Sequence, residues 1–271
     1  MNRFLLILLM CATVGAQTSG TQIITSSGKA ADELFVKTIG DRNAKVVFIP
    51  TAASSLRSQN LTIWEPGSEE NKEKFAADLR ERFQLEQITI LHTRDRKLAD
   101  SDAFVQPLRE AKGVWISGGN PGRFMATFGG TKVEKELKAF LKRGGVLGGE
   151  SAGAIVQGSY TIRGNPDKPV LMVKGSERGI GLLENVAINP HLTANKREQE
   201  LITIIDRYPK LIGIGIDDDA GMIIKNGVGE VFGTGRVAIY DNIKHGGNWY
   251  YWLKAGDKFD FNKRTRLDVV D

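Results

Sequence analysis

The sequence predicts an α/β fold: a mostly parallel sheet flanked by helices, with antiparallel strands at its C-terminal edge. Short apolar, β-branched runs alternate with charged stretches of helical periodicity, and small or polar residues follow the apolar runs. From residue 222 onward the chain instead breaks into short runs separated by glycine-rich turns. Strands are expected at residues 46–50, 88–92, 114–117 and 146–147, each too short for a helix and rich in Val or Ile. Between them, residues 69–83 place Phe75, Leu79 and Phe83 four apart on one helical face, and residues 133–141 align Val133, Leu137, Phe140 and Leu141 in the same way. Strand, helix, strand repetition implies a parallel sheet with right-handed crossovers, because the helix packs back onto a twisted sheet only that way. Ligands of such sheets collect beyond the carboxyl ends of the strands. Those ends read Pro50-Thr51-Ala52-Ala53, Ser117-Gly118-Gly119-Asn120 and the turn at Ser151, and are expected to converge on one crevice. A further strand is expected at 170–173, a helix at 196–208, and antiparallel strands within 222–261, among them 236–240 and 249–253.

The chain has 271 residues and opens with Met1-Asn2-Arg3, an apolar run over 4–10 and Val14-Gly15-Ala16, the pattern of an export signal cut after Ala16. The expected organisation is a signal peptide over 1–16 and a single domain over 17–271, secreted or periplasmic. The apolar run is too short for a permanent membrane span, so no stable membrane anchor is expected. Lipid attachment at Cys11 is disfavoured by the bulky Met10 before it. Cys11 is the only cysteine, which removes disulfides, thiolate catalysis and cysteine-bound metals from the exported chain. The net charge of +5 comes from scattered Lys and Arg with no interleaved aromatic platform, so no nucleic acid partner is expected. Three histidines without short spacing point to neither a metal nor an organic cofactor.

An apolar stretch runs directly into Gly149-Glu150-Ser151-Ala152-Gly153. A serine in a tight strand-to-helix turn needs small neighbours on both sides, and the turn lifts its hydroxyl off the end of the sheet. The free N–H groups of the following helix would face charge developing beside it. A glycine-rich turn without chemistry reads the same way locally, so the rest of the chain must decide between them.

A serine nucleophile needs a base, and only His92, His191 and His245 are available. His92 closes an expected strand and His245 lies in an expected hairpin turn. His191 ranks first, because it follows Ala187-Ile188-Asn189-Pro190 in a loop leaving a buried strand. For the acid, Gly213-Ile214-Gly215-Ile216 ends in Asp217-Asp218-Asp219, of which alternation lets only one or two face a common site. A solvated acidic turn is the plain alternative. Glu150 is a substrate contact or a buried partner for an arginine.

Taken in order, Ile49-Pro50-Thr51-Ala52, Gly118-Gly119-Asn120, Gly149-Glu150-Ser151-Ala152-Gly153-Ala154, Gly181-Leu182-Leu183, His191 with Arg197, and Gly213-Ile214-Gly215-Ile216-Asp217-Asp218 resemble the cyanophycinase-like serine peptidases of family S51. The resemblance runs over residues 45–241. It implies the flavodoxin-like fold of class I glutamine amidotransferases, with serine where those enzymes carry cysteine. Residue by residue it implies Ser151 as nucleophile, His191 as general base, and Asp218 at an acidic position that is usually glutamate. Gly119 and Ala152 would supply an oxyanion hole, and Asn120 and Arg197 would touch substrate. The activity implied is that of an exported serine peptidase hydrolysing an aspartyl or β-aspartyl amide through an acyl-enzyme, without a cofactor. Its partner would be a peptide or cyanophycin-like substrate, and a homodimer is compatible with it. Pro121, Pro190 and Asn195 stand where cyanophycinases carry substrate-touching residues. Two other readings stay open: an α/β-hydrolase esterase using Ser151, Asp218 and His245 in that fold's chain order, and a catalytically silent binding protein on the same fold.

Overall fold

The computed structural model describes residues 20–267; the export signal expected over 1–16 lies outside the described residues. The elements run β1 (Thr21–Thr25), α1 (Lys29–Ile39), β2 (Val46–Ile49), a small hairpin of β3 (Leu56–Arg57) and β4 (Ile63–Trp64), α2 (Lys72–Phe83), β5 (Ile88–Ile90), α3 (Arg96–Ala99), α4 (Asp102–Glu110) and β6 (Gly113–Ile116). They continue as α5 (Pro121–Phe128), α6 (Lys132–Lys142), β7 (Val146–Glu150), α7 (Ala152–Ile155), β8 (Gly158–Tyr160), β9 (Leu183–Pro190), α8 (Glu198–Arg207) and β10 (Ile212–Ile216). The last part is β11 (Ala220–Lys225), β12 (Val228–Gly233), β13 (Val237–Tyr240), β14 (Tyr251–Leu253), β15 (Lys258–Asp260) and β16 (Thr265–Leu267).

The main sheet has the order β16-β15-β12-β11-β1-β7-β6-β2-β5. From β1 to β5 its strands are parallel, and β11, β12, β15 and β16 continue it antiparallel. This is the helix-flanked α/β sheet with antiparallel C-terminal strands that the sequence predicts. Alternation along the parallel strands shows why both faces are covered. Val47, Ile49, Val114, Ile116 and Leu147 join one core with Leu137, Phe140 and Phe128. Val46, Phe48 and Trp115 join another with Phe35, Phe75, Leu79 and Phe83. The two predicted helical faces, on α2 and α6, are the ones buried.

Three features depart from the sequence expectation. The C-terminal strands are shared between two sheets: β13 and β14 edge a second sheet of order β14-β13-β10-β9-β8, in which β8, β9 and β10 are parallel. That sheet packs Ile188, Ile212, Ile214 and Val237 against Ile24, Met222 and Ile224 of the main sheet, while α8 covers its far side with Leu201, Ile204 and Ile205. Second, β1 and α1 carry no motif yet occupy the middle of the molecule; every residue of β1 is buried. Third, residues 170–173 form no strand. The loop containing them is tied down locally, with the Asn165 and Pro166 carbonyls accepting from Asn120 Nδ2 and the Leu171 carbonyl accepting from Arg163 N–H.

Beneath the end of β7, Arg82 of α2 donates Nε and Nη2 to Asp32 of α1, both at 2.8 Å, and Nη2 to Glu150 at 2.9 Å. Glu150 is thus the partner of an arginine, one of the two roles the sequence left open. Burial works against the Arg82 charge, but Glu150 and Asp32 together hold its guanidinium above the ordinary value. Burial pushes the Asp32 carboxyl up, and the neighbouring Glu150 adds to this against the opposing pull of Arg82. Removing that cation leaves both acids half-desolvated and mutually repelling. Arg82→Met is therefore expected to destabilise the protein by about 3 kcal/mol or more, read as a shift of the urea midpoint at pH 7; a loss under about 1 kcal/mol would show that the network contributes little.

Candidate active site

Ser151 alone makes the turn between β7 and α7. Its backbone sits at φ 51° and ψ −112°, which an L residue holds only when its surroundings impose it. Two glycines permit the imposition: a Cβ on Gly149 would lie 2.4 Å from the Gly153 carbonyl oxygen, and one on Gly153 would lie 2.1 Å from that of Ile116. Ser151 N–H donates to the Thr25 carbonyl at 2.9 Å. The predicted elbow is present.

His191 and Asp218 arrive from the second sheet. β9 and β10 pair in parallel with Pro190 opposite Ile216, so the residues just past those ends emerge side by side. His191 Nδ1 lies 2.5 Å from Asp218 Oδ1, and Nε2 lies 3.1 Å from Ser151 Oγ. With Asp218 ionised, Nδ1 carries the proton it donates and Nε2 presents its lone pair to the serine hydroxyl. The three aspartates lie in the turn beyond β10, not in the strand itself, and the turn separates them. Asp217 is buried on the other side, accepting from Thr193 N–H at 3.3 Å and from its hydroxyl at 2.8 Å. Asp219 turns away at φ 55°, its carbonyl accepting from Thr234 N–H at 2.9 Å.

The remaining sequence-predicted residues fall into place unevenly. Gly118 abuts the serine, a Cβ there reaching Ser151 Cβ at 3.3 Å. Gly119, at φ 135°, packs onto the Ala52 carbonyl so closely that a Cβ would sit 2.4 Å from its oxygen. Neither Gly119 N–H nor Ala152 N–H donates in any turn, loop or cap of the described residues. Asn120 is committed inside the protein: Oδ1 caps α5 by accepting from Arg123 N–H at 3.0 Å, and Nδ2 donates to the Asn165 and Pro166 carbonyls, each at 3.1 Å. Its side chain therefore holds the loop next to Gly119, where the sequence reading placed it on substrate. Pro121 is the first residue of α5, where its missing N–H costs nothing. Arg197 stands at the start of α8 and donates to the Pro190 carbonyl at 3.3 Å, not to a carboxylate.

The other two histidines are engaged elsewhere. His245 Nε2 pairs with Asp241, four residues earlier, at 2.9 Å. His92 Nδ1 contacts Thr51 Oγ1 at 3.0 Å. Burial, with Arg94 beside it, pulls the His92 imidazole down to about 4. Sequence reasoning missed Thr25 and Ser26, which meet the site through β1. Ser26 Oγ accepts from His191 N–H at 2.9 Å and donates to the Ile216 carbonyl at 2.8 Å. The available signal was the run Ile23-Ile24-Thr25-Ser26-Ser27, an apolar strand ending in hydroxyls. Among the described residues, no group of three or more His, Cys, Asp or Glu could hold a metal, and no helix is long and apolar enough to cross a membrane.

Two outcomes follow from this packing. Gly153→Ala forces a methyl onto the Ile116 carbonyl, so about 1–3 kcal/mol of stability should be lost, read as a lower urea midpoint; an unchanged midpoint would mean that α7 can shift freely. His92, neutral in the fold down to about pH 4 but protonated below about 6.5 when unfolded, makes the unfolded state bind more protons in that window. Its contribution is complete above the higher value and is lost as pH falls towards the lower. His92→Gln should accordingly flatten the decline of melting temperature between pH 6.5 and 4; identical slopes in both proteins would refute this.

The sequence model of Peptidase family S51 matches residues 16–231. The chain is 29% identical over 210 residues to a cyanophycinase of Nostoc sp. (strain PCC 7120), covering 70% of either chain. It is 31% identical over 159 residues to a cyanophycinase of Synechococcus elongatus, covering 57% of this chain and 49% of that protein. The solved structure of a peptidase from an acI-B1 Actinobacterium aligns with a TM-score of 0.67 at 25% identity, over 91% of this chain and 98% of the other. A putative peptidase E protein from Listeria monocytogenes EGD-e shares the fold, with a TM-score of 0.51 at 19% identity over 79% and 96% of the two chains. The family match runs from β1 into β12 and includes Ser151, His191 and Asp218; this chain belongs to peptidase family S51 and is a serine-type peptidase.

Proposed function

We propose that this protein is an exported serine peptidase of cyanophycinase type that hydrolyses an aspartyl or β-aspartyl amide bond through an acyl-enzyme on Ser151. The observation that carries the reading is the unbroken chain from Ser151 Oγ to His191 Nε2, at 3.1 Å, and from His191 Nδ1 to Asp218 Oδ1, at 2.5 Å. Ser151 Oγ attacks the scissile carbonyl carbon as its proton passes to His191 Nε2, and the carbonyl electron pair moves onto oxygen. Gly119 N–H and Ala152 N–H are the donors assigned to that oxyanion; one such donor contributes about 10²–10³ in rate. The imidazolium then gives its proton to the departing nitrogen, the C–N bond breaks, and an ester remains on Ser151. Water attacks that ester, losing its proton to Nε2, and the proton returns to Ser151 as the acid leaves. Asp218 keeps the imidazole in the required tautomer throughout.

Arg197 is assigned to a substrate carboxylate. Its guanidinium is engaged by a backbone carbonyl and lies near Arg163, so burial and that second cation both press it below its ordinary value, and an incoming carboxylate would relieve both. Asn120 is assigned to holding the loop that presents Gly119. The imidazole against Ser151 Oγ is that of His191, while His245 Nε2 faces Asp241, which counts against the esterase reading. The export assignment rests on the pattern of residues 1–16.

The test is hydrolysis of cyanophycin and of a panel of α- and β-aspartyl dipeptides by the purified protein beside Ser151→Ala. Release from one class is expected, with turnover falling about 10⁴-fold or more in the variant while the far-ultraviolet circular dichroism stays unchanged. Equal turnover in both proteins would remove Ser151 from the mechanism. No release from any substrate by a folded wild type would point to a binding protein or to another acyl bond.

A further inference from the structure

Ser151 belongs to the main sheet, whereas His191 and Asp218 follow strands of the second sheet. A distance of 3.1 Å between Ser151 Oγ and His191 Nε2 therefore depends on how the two sheets are fixed together at their ends. Two adjacent residues at the exit of β1 do this. β1 pairs with β7 so that Thr25 lies opposite Glu150, and the Thr25 carbonyl accepts from Ser151 N–H at 2.9 Å. The next residue, Ser26, is buried, and its hydroxyl makes both contacts to the other sheet. It accepts from His191 N–H at 2.9 Å and donates to the Ile216 carbonyl at 2.8 Å, two residues ahead of Asp218. Thr25 Oγ1 adds a bond to the Ala220 carbonyl at 2.7 Å, just beyond Asp219.

The direction of these bonds matters. His191 holds a left-handed backbone at φ 56°, so its N–H points away from any ladder and needs an acceptor that β9 and β10 do not provide. Leu192 N–H donates to the Ile216 carbonyl at 3.0 Å and the His191 carbonyl accepts from Asn195 N–H at 3.1 Å, while Ser26 is the acceptor for the His191 N–H. A single hydroxyl that accepts from one strand end and donates to the next fixes their spacing, because rotating it to keep one bond breaks the other. We propose that Ser26 is a positioning residue that sets the His191 imidazole against both Ser151 and Asp218 by pinning the exits of β9 and β10 to β1. This rests on the triad assigned above. Misplacement of a base by a fraction of an ångström, without loss of fold, costs rate and leaves binding nearly untouched.

The test compares wild type, Ser26→Ala, Ser26→Thr and Ser151→Ala in the full chain. Three readouts are used: the rate of covalent labelling by a fluorophosphonate probe across pH, the ¹⁵N shifts of the His191 imidazole, and the melting temperature. Ser26→Ala is expected to remain folded, label about 10- to 100-fold more slowly, and show ¹⁵N shifts moving from the Nδ1–H tautomer towards a mixture of tautomers. Ser26→Thr, which keeps the hydroxyl, is expected to recover most of the labelling rate and the wild-type shifts. Wild-type labelling and wild-type shifts in Ser26→Ala would overturn the proposal. If Ser26→Ala does not fold, Ser26→Cys is read instead: its weaker hydrogen bonding should slow labelling and move the shifts, and unchanged values overturn the role. The ¹⁵N shifts need no turnover, so they judge Ser26 even if equal labelling of wild type and Ser151→Ala shows the triad assignment itself to be wrong.

Discussion

The backbone of Ser151 is held at φ 51° and ψ −112°, against the torsional preference of an L residue, and the surrounding elements are arranged to keep it there. The turn from β7 into α7 is sharp enough that α7 must approach β6 at backbone distance. Gly153 provides that approach, with no room between it and the Ile116 carbonyl for a side chain. Gly149 does the same on the strand side. Strain of this kind costs on the order of 1–3 kcal/mol and persists only where packing over-determines it. Here the fully buried Ala154 and Val156, together with Ala152, lock α7 between the cores of the two sheets. The result is a hydroxyl held off the end of the sheet by backbone geometry, independent of any flexible side-chain arm.

The division of the site between two sheets is the second organising fact. A parallel sheet exposes its strand exits along one edge, and neighbouring strands place their exits about 5 Å apart. β9 and β10 exploit that spacing to set His191 beside Asp218. The serine, however, leaves a different sheet, so no ladder brings it to the imidazole. The contact is made by packing Ile188, Ile214 and Val237 against Ile24 and Met222, and by the polar exit of β1. Apolar packing sets the distance between the sheets to within a side chain, whereas hydrogen bonds with direction are needed to set it within a bond length.

Competition among polar groups explains which carboxylate serves the imidazole. Four acids lie at the strand exits that carry Ser151 and Asp218, and three of them are engaged or turned elsewhere. Glu150 is drawn beneath the sheet by Arg82, Asp217 is satisfied by Thr193 and approached by Arg236 at 3.6 Å, and Asp219 is turned away by its left-handed backbone. Asp218 is the one directed at the imidazole. The same accounting separates the polar residues of the crevice: Asn120 is fully used in holding loops, while Arg197 retains a charge facing a backbone carbonyl.

By itself the sequence determined what depends on local chemistry and periodicity. The small residues around Ser151 can serve only a tight turn, the spacing of Phe75, Leu79 and Phe83 can bury only one helical face, and the β-branched runs between helices imply a parallel sheet. The ranking of His191 over His92 and His245 was legible too, because a polar residue just past a buried strand end sits where strand exits gather. Other features were decided only in three dimensions. Residues 170–173 looked like a strand by composition, but a strand needs a partner ladder, and Asn120 claims two carbonyls of that loop. The second sheet, the central place of β1 and the bridge made by Ser26 leave no periodic trace, because each depends on groups distant in sequence: Ser26 and His191 are 165 residues apart. A hydrogen bond across that separation is invisible to any window of sequence, since it is fixed by where two sheets meet and not by what either strand prefers.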